Sequence, residues 1–296
     1  KKPPMSTIGS SVTAAHAVIA TLLPIVDIGG FFAKAHPTRS YGIAVRLSAP
    51  PPEGMHISVD APTRSTRPWR GAEHGMVVVG ESHKTGHGDD LDGHYRALEQ
   101  WAREHFAVTE VSYRWSAQDY RPVDELPYVG RCPRTERVYV GTGFMKWGLS
   151  NGTAAGAMIA DLIGGRDTAW LPAFDASRAG VSDAQAAKTA VRENLEVGKR
   201  FVADRVGRLS AEDLGALSPG EGGIVRVGDK AVAAYRDPDG GVHAVSPTCT
   251  HLGCTVSWND AERSWDCPCH GSRFSVEGAV LDGPAVSPLE PYEVED

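Results

Sequence analysis

Two short loops near the C-terminus carry the same chemical set, and that duplication restricts the fold more than any other feature of the 296 residues. The first is Cys249-Thr-His-Leu-Gly-Cys254 and the second is Cys267-Pro-Cys-His-Gly-Ser272. As spacing they read Cys249-x-His251, fifteen intervening residues, then Cys267-x-x-His270, with Cys254 and Cys269 as one further cysteine in each loop. Loops that each offer one thiolate and one imidazole must face each other if they share a metal centre. A [2Fe–2S] cluster with two thiolates on one iron and two imidazoles on the other uses such a pair. Tetrahedral zinc accepts the same four ligands, and buried structural cysteines need no metal. Zinc accounts for the ligands and leaves the second cysteine pair unexplained.

Taken together, the loops resemble those of the Rieske iron–sulfur family. The flanks extend the resemblance: 224–227, 231–235 and 242–245 alternate like short strands, and Gly283-Pro-Ala285 is similar to the family's proline loop. The resemblance implies that Cys249 and Cys267 hold one iron and His251 and His270 the other. It also implies a Cys254–Cys269 disulfide across the cluster, and a histidine edge at the surface as the electron exit. Ser272 stands where high-potential members have serine, but Phe274 stands where they have tyrosine. The expected potential is therefore below that of respiratory members and above that of plant-type ferredoxins.

Composition bounds the rest. With 41% hydrophobic and 23% charged residues the chain is ordinary globular protein, long enough for two domains. A net charge of −7 without any basic run argues against a nucleic-acid partner. The stretch Ala17–Val26 is about half the length a membrane span needs, and Pro24 and Asp27 interrupt or bound it, so no membrane span is expected. No targeting segment is expected, since Lys1-Lys-Pro-Pro4 leads into polar sequence, and the expected location is cytoplasmic.

In chain order, strands are expected at Val12–Ala20, Tyr41–Leu47 and Met55–Asp60, with an apolar run at Met76–Val79 and an irregular loop at Gly80–Gly86. His83 in that loop reads as a solvated histidine. Leu91, Tyr95, Leu98, Trp101 and Ala102 fall at helical spacing, followed by a strand at Val108–Tyr113. Then come a proline-bounded loop at Arg121–Gly130, a strand at Val138–Gly143 and a small-residue helix at Asn151–Ile163. Cys132 has no partner in spacing and reads as a plain thiol.

Asp124-Glu-Leu-Pro-Tyr-Val-Gly130, Val138-Tyr-Val-Gly-Thr-Gly-Phe144 and Trp147-Gly-Leu-Ser-Asn-Gly-Thr-Ala-Ala-Gly156 resemble the glycine/D-amino-acid oxidase family of FAD-dependent oxidoreductases. The resemblance places Gly141, Gly143, Phe144, Gly148, Asn151 and Gly152 against FAD. Glycines there let backbone approach a flat ring, and a helix N-terminus favours its electron-rich edge. The G-x-G-x-x-G fingerprint that cradles a dinucleotide pyrophosphate is absent. The expectation is that the C-terminal part only of that domain is represented, and that FAD binding by this chain alone is weak. Arg46, Tyr41, Lys84 and Lys146 are candidates for substrate contact, with no catalytic residue singled out.

The expected fold class is mixed α+β: a partial FAD-oxidoreductase domain with mixed sheet and helices over 1–173, a helical linker over 174–206 and an all-β Rieske domain over 207–296. The implied activity is a flavin–Rieske oxidoreductase with an amine-like or amino-acid-like substrate and a one-electron acceptor. The alternative is an electron-transfer Rieske protein or subunit with no catalysis of its own.

Overall fold

The computed structural model describes residues 13–26, 28–88, 90–181, 184–207 and 211–294, with backbone alone at 200 and 202–207. The expected strand start at Val12 and the bounding Asp27 lie outside the described residues. A short strand β1 (Ala17–Ile19) and a one-turn helix α1 (Phe31–Lys34) lead into a five-stranded antiparallel sheet. Its strands are β2 (Ala35–Leu47), β3 (His56–Ile57), β4 (Ser65–Trp69), β5 (Gly75–Lys84) and β6 (Val108–Pro122), in the order β3-β4-β5-β2-β6. Alternate residues of β2, namely Tyr41, Ile43, Val45 and Leu47, pack with helix α2 (Asp92–His105), which contributes Tyr95, Leu98 and Ala102 at helical spacing. The helix ends where Phe106 turns extended, its N–H still bonded to the Ala102 carbonyl at 2.9 Å.

Three strands outrun their apolar patterns. β2 begins at Ala35, β5 continues to Lys84 and β6 to Pro122, although apolar alternation marks only 41–47, 76–79 and 108–113. A backbone ladder needs no apolar side chain if something else covers the polar ones, and here Arg39 is 1% exposed because the C-terminal part of the chain lies over it. The expected loop at 80–86 is thus strand as far as Lys84, carried past a bulge between Arg39 and Tyr41. His83 is correspondingly no solvated loop residue. Its ring stacks on Tyr41 at 5.6 Å and on His94 at 4.5 Å, and its Nε2 lies 2.9 Å from the Tyr41 hydroxyl. Burial, and secondarily the neighbouring His94, push His83 down to about 4. The expected strand at 55–60 shrinks to β3, an edge strand paired only with β4 and followed by Pro62.

A smaller sheet follows, β7 (Tyr128–Arg131) and β8 (Val138–Thr142) in the order β1-β8-β7, with β1 parallel to β8. Helix α3 (Gly148–Ile163) starts three residues before the expected Asn151 and lays Ala155, Met158 and Ile159 on Val129 and Tyr139. Cys132 is buried in the neighbouring core with Tyr120, Tyr128 and Phe31. After a one-turn helix α4 (Leu171–Phe174), the helical stretch expected over 174–206 resolves into α5 (Ala184–Gly207). The rest is β-rich: β9 (Gly222–Val227), β10 (Lys230–Arg236) and β11 (Val242–Val245) form one antiparallel sheet. A second is formed by β12 (Ser257–Asn259), β13 (Ser264–Asp266), β14 (Arg273–Phe274) and β15 (Val280–Asp282). No helix among the described residues is long and apolar enough to cross a membrane.

Two outcomes follow from this packing. A Cβ on Gly86, which holds φ +73°, would lie 2.6 Å from the Pro268 Cα. Gly86→Ala should therefore destabilise the fold by about 1–3 kcal/mol, whereas Gly156→Ala, in a helix with nothing near the added carbon, should stabilise it by about 0.5–1 kcal/mol; thermal unfolding compares them. The second outcome concerns acid. Because His83 titrates at about 4 in the fold and near 6.5 when unfolded, only the unfolded chain binds that proton between these values, so stability rises with pH across the window. Urea midpoints at pH 7 and pH 5 should differ by less in His83→Gln than in the parent, the difference amounting to roughly 1–3 kcal/mol.

Candidate functional site

The first cysteine loop connects β11 to β12 and the second connects β13 to β14, and the two close with the same backbone hydrogen bonds. The N–H of Cys249 donates to the carbonyl five residues on, Cys254, at 2.8 Å, and that of Cys267 does the same to Ser272 at 2.7 Å. The N–H of Gly253 donates back to Cys249 and that of Gly271 back to Cys267, both at 3.0 Å. Both glycines stand at positive φ, +78° and +77°, which a side chain would resist. Repeated turn geometry places the repeated ligand types opposite one another.

Between the loop tips Cys254 and Cys269 form a disulfide with Cα atoms 6.5 Å apart. Cys249 and Cys267 stay as buried thiols hydrogen-bonded to each other. That bond favours the Cys249 thiolate, helped by N–H groups of His251 and Leu252 and by the Ser272 hydroxyl, while it raises Cys267. Burial pushes His270 down to about 4, leaving a neutral imidazole whose Nδ1 is buried without a hydrogen-bond partner among the described residues. The His251 and His270 rings lie 5.0 Å apart. The sulfurs of Cys254, Cys267 and Cys269 also fall within 4.8 Å of one another, but the disulfide consumes two of them. Paired thiols beside two imidazoles, that of His270 neutral and with an orphaned nitrogen, fit a [2Fe–2S] cluster with mixed ligation.

Of the histidine edge expected at the surface, His251 is partly exposed and His270 is buried. His270 is 6% exposed, and the Phe32 ring of α1 stands edge-on to it at 5.3 Å and to His251 at 5.9 Å. The N-terminal part of the chain grips the second loop from the same side. Tyr120 donates its hydroxyl to the His270 carbonyl at 2.8 Å, and Gln118 donates its amide to the Gly271 carbonyl at 2.8 Å. Beneath them Glu262 accepts from Arg39 at 3.1 Å, Arg273 at 2.7 Å and Tyr95 at 3.1 Å. Helix α5 completes the cover, with Val197 and Phe201 against the cluster-loop core and Glu193 and Glu196 on the Lys84 ammonium at 2.7 and 2.8 Å.

The other candidate face is built from the β8–α3 junction. Phe144 packs under Gly141 and Gly152, a Cβ on Gly148 would meet nothing within 4 Å, and Leu149 is 94% exposed. The first turn of α3 is therefore open, with no side-chain cap on its N–H groups, and it fits the ring end of a flavin. Asp119 takes the Lys146 N–H of this loop, and the Lys146 ammonium reaches the Ser82 hydroxyl at 2.6 Å. The four substrate-contact candidates are not gathered in one place. Tyr41 is buried against α2, Arg46 is paired with Glu110 at the far end of β2, and Lys84 is bound to α5; Lys146 alone stands at this face. At Ser82, the partner of Lys146, opens a cavity of about 670 Å³ lined also by His36, Thr38, Lys84, Arg121 and Glu193 among others. Phe32, Gln118, Asp119 and Tyr120 were missed in the sequence, where nothing in their spacing points to the distant loops they contact.

Changing Cys249, His251, Cys267 or His270 to alanine should abolish iron binding, because each iron would have two protein ligands to lose; iron and sulfide assays on the purified variants check this. Cys254→Ser should assemble the cluster but bleach faster in air, as followed optically. Tyr120→Phe should keep the cluster and lower the unfolding free energy by about 1 kcal/mol, the typical worth of one hydrogen bond.

Comparison with known proteins finds two family matches in the chain. Residues 7–162 match the family model described as FAD dependent oxidoreductase, and residues 209–293 match the Rieske [2Fe-2S] domain. The first match corrects the expectation that the C-terminal part only of the oxidoreductase domain is represented, since it takes in nearly all of the chain ahead of α4. The chain is 35% identical over 277 residues to a Bacillus subtilis (strain 168) protein named as a Rieske 2Fe-2S iron-sulfur protein, YhfW, covering 92% of this chain and 53% of that one. It is 46% identical over 65 residues to the cytochrome b6-f complex iron-sulfur subunit of Chlorobaculum thiosulfatiphilum, covering 22% of this chain and 35% of that one. A glycine oxidase structure from Geobacillus kaustophilus aligns at 22% identity and a TM-score of 0.42, over 49% of this chain and 40% of that one. The chain thus spans about half the length of the first of these relatives and less of the others. With more than half of its residues inside the first family model and both cysteine loops inside the second, the chain belongs to the FAD dependent oxidoreductase family and carries a C-terminal Rieske [2Fe-2S] domain.

Proposed function

We propose that the chain oxidises an amine-like, amino-acid-like substrate at the flavin face and passes the electrons through the [2Fe–2S] cluster to a one-electron acceptor. The observation that carries this reading is the placement of β6. Gln118 and Tyr120 hold the cluster loop, and Asp119 between them holds the loop that leads into α3. Successive residues of a strand point to opposite faces, so one rigid strand positions both candidate cofactor sites.

In this reading residues 1–173 form the oxidoreductase unit, 174–206 the connecting helix and 207–296 the cluster unit. Cys249 and Cys267 would hold one iron and His251 and His270 the other. Gly141, Gly143, Phe144, Gly148, Asn151 and Gly152 would border the flavin ring. FAD supplies two-electron oxidation and the cluster one-electron transfer. The cavity's cations are already matched by carboxylates: Lys84 by Glu193 and Glu196, Arg192 by Glu193, and Arg121 by Glu125. A wall of both signs suits a small zwitterion better than a simple anion. Lys146 stands beside Ser82 with its pKa lowered by burial, and in its neutral form it would take a proton from the substrate's ammonium.

Anaerobic addition of amino acids and secondary amines to the FAD-loaded protein, followed by optical and EPR spectra, tests the proposal. A substrate should produce the reduced-cluster EPR signal. If none does while dithionite still reduces the cluster, the electron-carrier alternative replaces this one. Lys146→Met should slow substrate-driven reduction by roughly a hundredfold and leave the cluster's EPR signal unchanged.

A further inference from the structure

The His270 side of the cluster's histidine edge is covered by one side chain that belongs to the oxidoreductase unit, while His251 stays partly exposed. Phe32 stands edge-on to both His270 and His251, and it is held there from behind. The preceding residue, Phe31, is fully buried and meets the Tyr128 ring edge-on at 5.4 Å. Tyr128 is the register partner of Thr142, at the end of β8 where the chain turns toward Phe144 and the open face of α3. The Thr142–Tyr128 strand pairing, the Tyr128–Phe31 ring contact and the Phe31–Phe32 peptide bond therefore join the candidate flavin loop to the ring that meets a proposed iron ligand. Beside Phe32 a narrow cleft lined by His36, Lys84, Val197 and Cys269 among others has room for only about 10 Å³ of water.

We infer that Phe32 is the port of the cluster at His270: it covers this histidine against reagents in solution and is the contact through which the oxidoreductase unit delivers electrons to it. The inference rests on the flavin-to-cluster direction proposed above. Each crossing moves one electron and no atom, from the two-electron-reduced flavin to the oxidised cluster. Two crossings complete one substrate oxidation, the protons pass to water in the cavity, and the one-electron acceptor removes each electron from the cluster. Electron transfer weakens steeply with the gap it must cross, so deleting the ring slows delivery from within while opening His270 to reagents from outside. The two effects have opposite signs, which loss of folding alone would not produce.

The test compares wild type, Phe32→Ala and Phe32→Trp, each loaded with cluster and FAD and matched for cluster content and EPR line shape. Stopped-flow bleaching of the cluster is recorded after mixing with ascorbate, and separately after photoreduction of the bound flavin. In Phe32→Ala the ascorbate reaction should be several-fold faster and the flavin-driven reaction several-fold slower, with Phe32→Trp close to wild type in both. An unchanged ascorbate rate in Phe32→Ala overturns the closure. A faster ascorbate rate with unchanged flavin-driven bleaching overturns the delivery role. If the wild type itself shows no flavin-driven bleaching, the flavin-to-cluster reading fails and the delivery role with it, while the ascorbate comparison still decides the closure.

Discussion

The Tyr120 hydroxyl, buried where strand β6 meets the second cysteine loop, is the contact on which the rest of the arrangement depends. It donates to the His270 carbonyl at 2.8 Å and lies 3.3 Å from the Gly283 carbonyl of the proline loop. A buried phenol without a partner would cost more than its hydrogen bond contributes, so both loops are held at the position that satisfies it. Burial accordingly raises the Tyr120 pKa and keeps the donor proton in place. The strand that carries Tyr120 also carries Gln118 and Asp119, so the loop bearing His270 and the loop bearing Lys146 are set relative to each other by one backbone.

Charge reinforces the same junction. Glu262 reaches the N-terminal part of the chain through Arg39 and Tyr95 and the C-terminal part through Arg273, which also binds Asp266 at 2.9 Å. Such a network is not a strong source of stability, because desolvating the ions offsets much of their attraction. Its effect is on specificity: sliding one part past the other would strand a buried charge. Gly86 against Pro268 and Gly271 against Pro37, where an added Cβ would fall within 2.6 Å, close the same surface by shape.

Around the sulfurs the environment suits a reducible cluster. Cys249 takes hydrogen bonds from the N–H groups of His251 and Leu252 and from Ser272, and Cys267 takes them from those of Cys269 and His270. These donors stabilise the extra negative charge of a reduced cluster. Ser272 is itself oriented by accepting the Ala285 N–H at 3.0 Å, whereas Phe274, fully buried in the loop core, offers no donor.

The sequence by itself determined what depends on neighbours along the chain. Cys249, His251, Cys267 and His270, the Cys254–Cys269 pair and the amphipathic register of α2 were legible because ligand spacing and helical period are local. Glycine-rich loops at 141–152 were legible as punctuation, although the true start of α3 at Gly148 was not. Tertiary structure decided the rest. The polar halves of β2, β5 and β6 could not be recognised as strands, because what permits them is a second part of the chain lying over Arg39, Ser40 and Gln118. His83 could not be placed, since its stack with Tyr41 and His94 joins two strands and a helix. The covering of His270 by Phe32 joins residues more than two hundred positions apart, and such a contact leaves no periodicity or spacing in either segment, because it is set by where two independently formed surfaces meet.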